Sequence, residues 1–438
     1  MNTPQHLCIG LSLAATWLNG DAWCRPDSRV EALHSVDLYA ELARRAESAC
    51  IDFVFRPDSL FIDPATLEHG PGFSGLDPTL LMTALARETR HIGLVTTAST
   101  TFNQPYIVAR QLQSLQQISA GRAGWNVVTA LDGQQNFGLQ EMPSADARYA
   151  RAAEFTAAVR QLWRSYPAEA LALDRAGGRY ADSSRVRPID FDGQHLAVQG
   201  PLSLPGHPAG EVPLFQAGAS EVGREFAAQI ADAIFAATPD MHSARALRAD
   251  LQARTSRLGR GPGAVRVLPG LSLYLAGTRA QAQELFEAAR SEQQRARKLA
   301  ALQPLMQVDL SQLPADQPLG VDAMIAEGAP VRSRTHATLL RQLLQRERLT
   351  LAQLLRRPEV SGSSHWQVVG TVADALVEIR RWHAAQAIDG FIALPGGSLQ
   401  SLALCCDELV PALADLGLFR HSYRSSTLRG HLGLAETG

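Results

Sequence analysis

The run Gly121-Arg122-Ala123-Gly124-Trp125-Asn126-Val127-Val128-Thr129 carries the reading of the fold. From Trp125 to Thr129, aromatic and β-branched residues follow one another without a charge, the pattern of a strand buried on both faces. Gly121 and Gly124 permit a tight entry and close approach by a neighbouring backbone. Upstream, Asp77 and Pro78 suit the N-cap and first position of a helix running to Arg90. A strand Ile92–Ala98 and a helix Pro105–Ile118 come next, so the quoted run closes a βαβ unit.

Working outward, six more buried strands are legible: Leu7–Ala15, Ile51–Phe55, Val212–Ala217, Ala233–Ala237, Val265–Ala276 and Gly390–Leu394. Most are followed by a helical pattern. Eight strand–helix steps predict a (β/α)8 barrel rather than an open doubly wound sheet. One domain over residues 1–438 is expected, with insertions at about 167–210, where short hairpins fit, and 303–364. The loop Phe61–Leu76 contains Gly70-Pro71-Gly72-Phe73-Ser74-Gly75, which satisfies GxGxxG as a string. No strand directly precedes it and no helix opens on its second glycine, so it is not read as a dinucleotide site.

The totals narrow the function classes. Net charge is −2, from 41 basic and 43 acidic residues, so bulk charge invites neither nucleic acid nor an anionic membrane. Leu7–Leu18 imitates a signal-peptide core, but no Lys or Arg precedes it, and a first buried strand is the better reading. No apolar run approaches a membrane span. Five cysteines are scattered without a CxxC pair, as in reduced thiols of a cytoplasmic protein.

In such barrels the active site lies at the C-terminal strand ends. Those ends offer Asp58, Thr97 with Ser99, Asn126 with Thr129, and Gly218-Ala219-Ser220. They are small and polar. No HxH or HExxH occurs, no metal site is expected, and the chemistry is assigned to an organic cofactor. Ser220 follows a strand and opens a helix between Gly218 and Gly223, which suits either a plain N-cap or a phosphate ligand. It is not a GxSxG nucleophile, because the second glycine is missing. Tyr149, at a helix start beside Arg148 and Arg151, is placed to close over the same phosphate. Asp58 suits a turn cap or the site itself. Arg56 alternates onto the face of Asp58, where it either pairs with that carboxylate or meets an anionic substrate. Trp125 reads as core.

The run Ile92-Gly93-Leu94-Val95-Thr96-Thr97-Ala98-Ser99-Thr100-Thr101, followed by the stretch quoted first, closely resembles the flavin-dependent monooxygenases of the bacterial-luciferase superfamily. Within it, the match is to the nitrilotriacetate, EDTA and dibenzothiophene-sulfone monooxygenase branch. Gln216-Ala217-Gly218-Ala219-Ser220 with Gly223-Arg224, Val369-Gly370-Thr371, Asp389-Gly390-Phe391, Thr427-Leu428-Arg429 and Leu432-Gly433-Leu434 look like the same branch. The resemblance implies FMN, arriving reduced from a separate NAD(P)H:flavin reductase, with O2 as co-substrate and a small organic molecule as substrate. It also implies a homo-oligomer.

On this resemblance Asp58, Thr97, Asn126, Tyr149, Ala219 and Ser220 are the expected cofactor-binding set, and Arg56 the expected substrate contact. The two insertions are expected to roof the mouth and set specificity. Relatives usually carry histidine where Ala145 stands, and often in the loop that here reads Leu18-Asn19-Gly20-Asp21-Ala22-Trp23, so no acid or base is assigned. Relatives also usually have an apolar residue in place of Arg56. Two alternatives remain: a deazaflavin-dependent oxidoreductase on the same barrel, or a non-catalytic flavin-binding protein.

Overall fold

The computed structural model describes residues 6–218, 220–289, 292–314, 316–331, 333–360 and 364–435. Its main sheet has nine strands: β1 (Cys8–Ser12), β2 (Phe53–Phe55), β3 (Gly93–Ser99), β4 (Ala123–Val128), β5 (Leu214–Gln216), β6 (Ala233–Ala236), β7 (Arg266–Leu275), β8 (Trp366–Gly370) and β9 (Gly390–Pro395). All pairings in it are parallel. The order β6-β5-β4-β3-β2-β1-β9-β7 closes into a ring through β6 on β7, from Ala233↔Arg266 to Ala236↔Pro269. The ring is the (β/α)8 barrel that the eight strands predict. β3 and β4 pair along Leu94↔Ala123 to Ser99↔Val128, the longest register in the sheet.

The helices form where their caps dictate. Ser35 accepts from the Asp37 amide to start α1 (Val36–Ser48). Asp77 accepts from Leu80 N at 2.9 Å, with Pro78 next, to start α2 (Pro78–Glu88). α3 (Pro105–Ile118) and α4 (Ala145–Arg164) pack against one another and against Trp125, which is fully buried on Phe155 and Trp163. Trp125 is core.

Inside the barrel, Phe53, Phe55, Val95, Phe215, Leu268 and Ile392 fill the lower half. The tail plugs the bottom: the short helix Leu428–His431 pushes Leu428 into this core. A Cβ on Gly124 would lie 2.7 Å from Leu428 Cδ2, so the close approach this glycine allows is made by a side chain of the tail rather than by a backbone. Gly121 takes φ +90°, a conformation open to glycine at little cost.

The sheet holds one strand more than the sequence reading counts. β7 runs ten residues and changes partner midway. Residues 266–269 pair with β6, and residues 271–275 pair with β8 on the same edge, because β9 occupies the other edge at 270–273. The change falls at Pro269, which has no N–H to continue the ladder. The upper wall between β6 and β7 is therefore built by β8.

The insertions behave differently from one another. Residues 167–210 form two short hairpins, as expected, Leu171–Asp174 with Arg179–Ala181 and Phe191–Asp192 with Ala197–Val198. They lie on the outer flank: Gln113 Nε2 on α3 donates to Pro205 O at 3.1 Å, and Arg151 Nη1 on α4 donates to His195 O at 3.1 Å. None of residues 167–210 lines the mouth, which corrects the expectation that this insertion roofs it. The segment over 303–364 does roof the mouth, on its own apolar cluster of Leu302, Leu310, Leu340, Leu344 and Val360. The loop Phe61–Leu76 forms the rest of the rim.

Candidate active site

A cavity of about 1450 Å3 opens at the C-terminal strand ends. Asp58 after β2, Ser99 closing β3, Thr129 after β4, Gly218 and Ser220 after β5, and Ser272 and Tyr274 on β7 all line it. Of the expected set, Asp58, Tyr149, Ser220 and Arg56 face this space. Ala219 lies outside the described residues.

Thr97 and Asn126 sit one pleat below Ser99 and Val128, and they do not line the cavity. They form a polar layer beneath its floor. Asn126 Nδ2 donates to Thr97 Oγ1 at 3.0 Å, and Thr97 Oγ1 donates to Arg56 O at 2.7 Å. Asn126 Oδ1 is buried without a partner. A buried carbonyl oxygen left so is costly.

Tyr149 and Ser220 come together as expected. Ser220 caps α5 (Glu221–Ile230), its Oγ accepting from Gly223 N at 3.3 Å. The Tyr149 ring lies edge-on to Phe226, and its hydroxyl stands beside Thr129, Ser220 and Gln216. A side chain at Gly218 would collide with Tyr149 Oη, and one at Gly223 would lie 2.8 Å from it. Burial raises the Tyr149 pKa, so the hydroxyl stays a neutral donor. Arg148, next on α4, has Nη1 on Pro143 O at 2.5 Å and a buried Nε with no acceptor. This is a cradle of donors at a helix N-terminus, with two glycines clearing its floor.

Asp58 is half-buried, and burial raises its pKa, with Asp77 adding to the effect against the Ser59 amide and Arg56. Arg56 does not form an ion pair with it: no carboxylate among the described residues lies within 4.0 Å of the Arg56 guanidinium. Instead Nη1 donates to Leu13 O at 2.5 Å, the plane lies over Tyr39, and Nε is buried without an acceptor.

One site residue is missed by the sequence reading. His365, just before β8, lines the cavity and stacks on Phe235 at 5.1 Å. Its Nδ1 is buried without a partner, and a side chain at Gly270 would strike that atom. Burial pushes its pKa down to about 4, so the ring is neutral at pH 7. The available signal was a lone histidine ahead of the alternation Trp366, Val368 and Gly370, which marks a strand buried on one face.

The comparisons with known proteins agree with this geometry. The family model described as luciferase-like monooxygenase matches residues 21–352. Nitrilotriacetate monooxygenase component A of Aminobacter aminovorans is 35% identical over 450 residues, covering 100% of this chain and 98% of that protein. Among solved structures, the EDTA monooxygenase from Chelativorans sp. BNC1 superimposes with a TM-score of 0.80 at 28% identity, covering 98% of this chain and 99% of that one. A riboflavin lyase solved with modified FMN and riboflavin gives 0.83 at 26% identity, covering 98% and 96%. The barrel, its polar strand ends and these matches together place the chain in the family of luciferase-like monooxygenases, in the branch of the nitrilotriacetate and EDTA enzymes, as an enzyme of flavin-dependent oxidation.

Proposed function

We propose that the chain is the oxygenase component of a two-component FMN-dependent monooxygenase acting on a small organic substrate in the cytoplasm. The observation that carries this reading is the cradle of Tyr149, Ser220, Gly218 and Gly223 at the start of α5, whose donors suit a phosphate. Reduced FMN bound there supplies the electrons that activate O2. A separate NAD(P)H:flavin reductase delivers it, in keeping with the component A designation of the Aminobacter relative.

The side chains supply position and dryness. Tyr149 and Ser220 hold the phosphate by O–H donors. Asn126 and Thr97 carry the floor on which the ring system rests. Asp58, its pKa raised by burial, and the neutral ring of His365 are the groups able to exchange a proton at the cavity wall. The roof over 303–364 covers the mouth and keeps water away.

The test is direct. Purified protein is expected to be nearly colourless and to protect added reduced FMN from oxidation by air. Substrate-dependent O2 uptake with reduced FMN then separates an enzyme from a flavin carrier. A tightly bound yellow chromophore that survives dialysis refutes the two-component reading.

A further inference from the structure

Arg56 poses a problem that the flavin cradle does not answer. The residue is 6% exposed, has no carboxylate within 4.0 Å among the described residues, and keeps Nε without an acceptor. A guanidinium cannot shed its proton, so a buried one without a counter-charge is expensive. Leu13 O and the Tyr39 ring each meet part of that charge, but neither is an anion. The rim loop keeps the place open: a side chain at Gly75, the last glycine of the GxGxxG string, would strike Nη2. Two other cations line the mouth, Arg297, bonded to the rim loop at Thr66 O, and Arg334 in the roof. They are half-buried and exposed, so water serves them. Arg56 is shut off from bulk water, and a full counter-charge reaches it from the cavity that it lines.

Under the flavin reading above, the molecule that enters is reduced FMN, with its phosphate in the cradle at β5. In the ring of eight, β1 stands opposite β5 with β2 beside it, and Arg56 follows β2 and donates to the carbonyl of Leu13, beyond β1. Arg56 O also accepts from Thr97 Oγ1 at 2.7 Å, which puts the residue at the edge of the polar layer under the cavity floor. A flavin anchored at β5 and laid over that floor brings its ring system toward β2. The charge of that ring depends on its redox state. Oxidised, it is neutral. At pH 8 the two-electron-reduced ring is an anion, with its charge spread over N1 and the adjoining C2 carbonyl. Such an edge is a planar pair of acceptors, which a guanidinium fork matches.

We propose that Arg56 is the counter-charge for the ring of reduced FMN, and that it makes the site take the reduced flavin in preference to the oxidised one. The phosphate is the same in both redox states, so the cradle at β5 does not supply this preference. Arg56 acts on the ring alone, and its burial keeps water from screening the interaction. This rests on the flavin-enzyme reading above, and it moves Arg56 from the substrate, where the sequence placed it, to the cofactor.

The experiment is an anaerobic titration at pH 8 with FMN and riboflavin, each oxidised and reduced, and the midpoint potential of bound FMN is measured alongside. Wild-type protein is expected to bind reduced FMN at least tenfold more tightly than oxidised FMN. That preference raises the two-electron potential of the bound flavin by about 30 mV or more above free FMN. Reduced riboflavin should show the same preference, because the charge lies on the ring. Arg56→Leu should weaken both reduced flavins tenfold or more and leave the oxidised ones within twofold. Arg56→Lys keeps the charge and should keep the preference within threefold. Equal affinity of wild-type protein for the two redox states overturns the proposal without any variant, so the test stands even if Arg56→Leu does not fold. Equal loss of oxidised and reduced flavin in Arg56→Leu also overturns it, because Arg56 would then serve the fold. A loss in Arg56→Lys as large as in Arg56→Leu does the same, because charge would not be the cause. If wild-type protein does not distinguish FMN from riboflavin, it is the phosphate cradle that fails, and the riboflavin pair still reads Arg56.

Discussion

Replacing Tyr149 with Phe removes a single hydroxyl from the cradle at β5 and leaves the packing of the ring on Phe226 intact. In free protein Oη stands beside Thr129, Ser220 and Gln216, and the bond it accepts from Gln216 Nε2 is long at 3.5 Å, so the loss there is small. With a phosphate present, the lost bond is one to a charged acceptor, worth roughly 1.5–3 kcal/mol. At about 1.4 kcal/mol per tenfold, FMN affinity should fall roughly 10- to 150-fold. Riboflavin has the same ring system without the phosphate, so its affinity should stay within about twofold. Burial raises the Tyr149 pKa above the ordinary tyrosine value, which keeps the proton on Oη, and wild-type FMN affinity should not drop between pH 7 and pH 9 on this account. Parallel fluorescence titrations of both flavins, on wild type and variant, provide the assay. If FMN and riboflavin weaken equally, the hydroxyl supports the fold and not the phosphate, and the cradle argument is wrong.

The folded pKa of His365, about 4, lies below the ordinary 6.5, so the unfolded chain takes up the proton first: stability is complete above pH 6.5 and falls as pH drops toward 4. At pH 5 the loss is about 2 kcal/mol, which urea midpoints at pH 7.5 and 5.0 should show as smaller by that amount in His365→Phe, and equal acid sensitivity in the two proteins would refute it. Leu428→Ala empties the apolar plug beneath Gly93 and Gly124 and should cost about 2–5 kcal/mol in urea unfolding, whereas a loss under about 1 kcal/mol would mean the tail does not close the barrel.

What the sequence made legible follows from the range of the forces involved. Eight of the nine strands and the caps at Ser35, Asp77 and Ser220 are set within a few residues, and each of these occurs where the local pattern puts it. Tyr149 and Ser220 could be paired because both are tied to the start of a helix that follows a barrel strand. The fate of Arg56 was not legible, because its acceptor, Leu13 O, is 43 residues away and depends on how β1 and β2 end together. The flank position of 167–210 was hidden for the same reason: Pro205, Gly206 and His195 attach it to helices whose outward faces no local pattern distinguishes from the mouth.

The hidden ninth strand has a consequence for the site. Because Pro269 ends the ladder to β6, the lower barrel is closed by β6 on β7, and the upper wall depends on β8. That strand begins where the chain leaves the roof, so His365 stands at the joint between roof and wall. Gly270 permits this, since any larger residue there would force the histidine out. The roof cation Arg334 and the wall residue His365 therefore belong to one continuous stretch of chain, anchored by the pairing of Leu271 to Leu275 with Trp366 to Gly370. Under the proposed function, a change in the length or packing of the 303–364 segment should act on the position of His365 as well as on the shape of the mouth, so this insertion, and not 167–210, is the one expected to link substrate choice to the cavity wall.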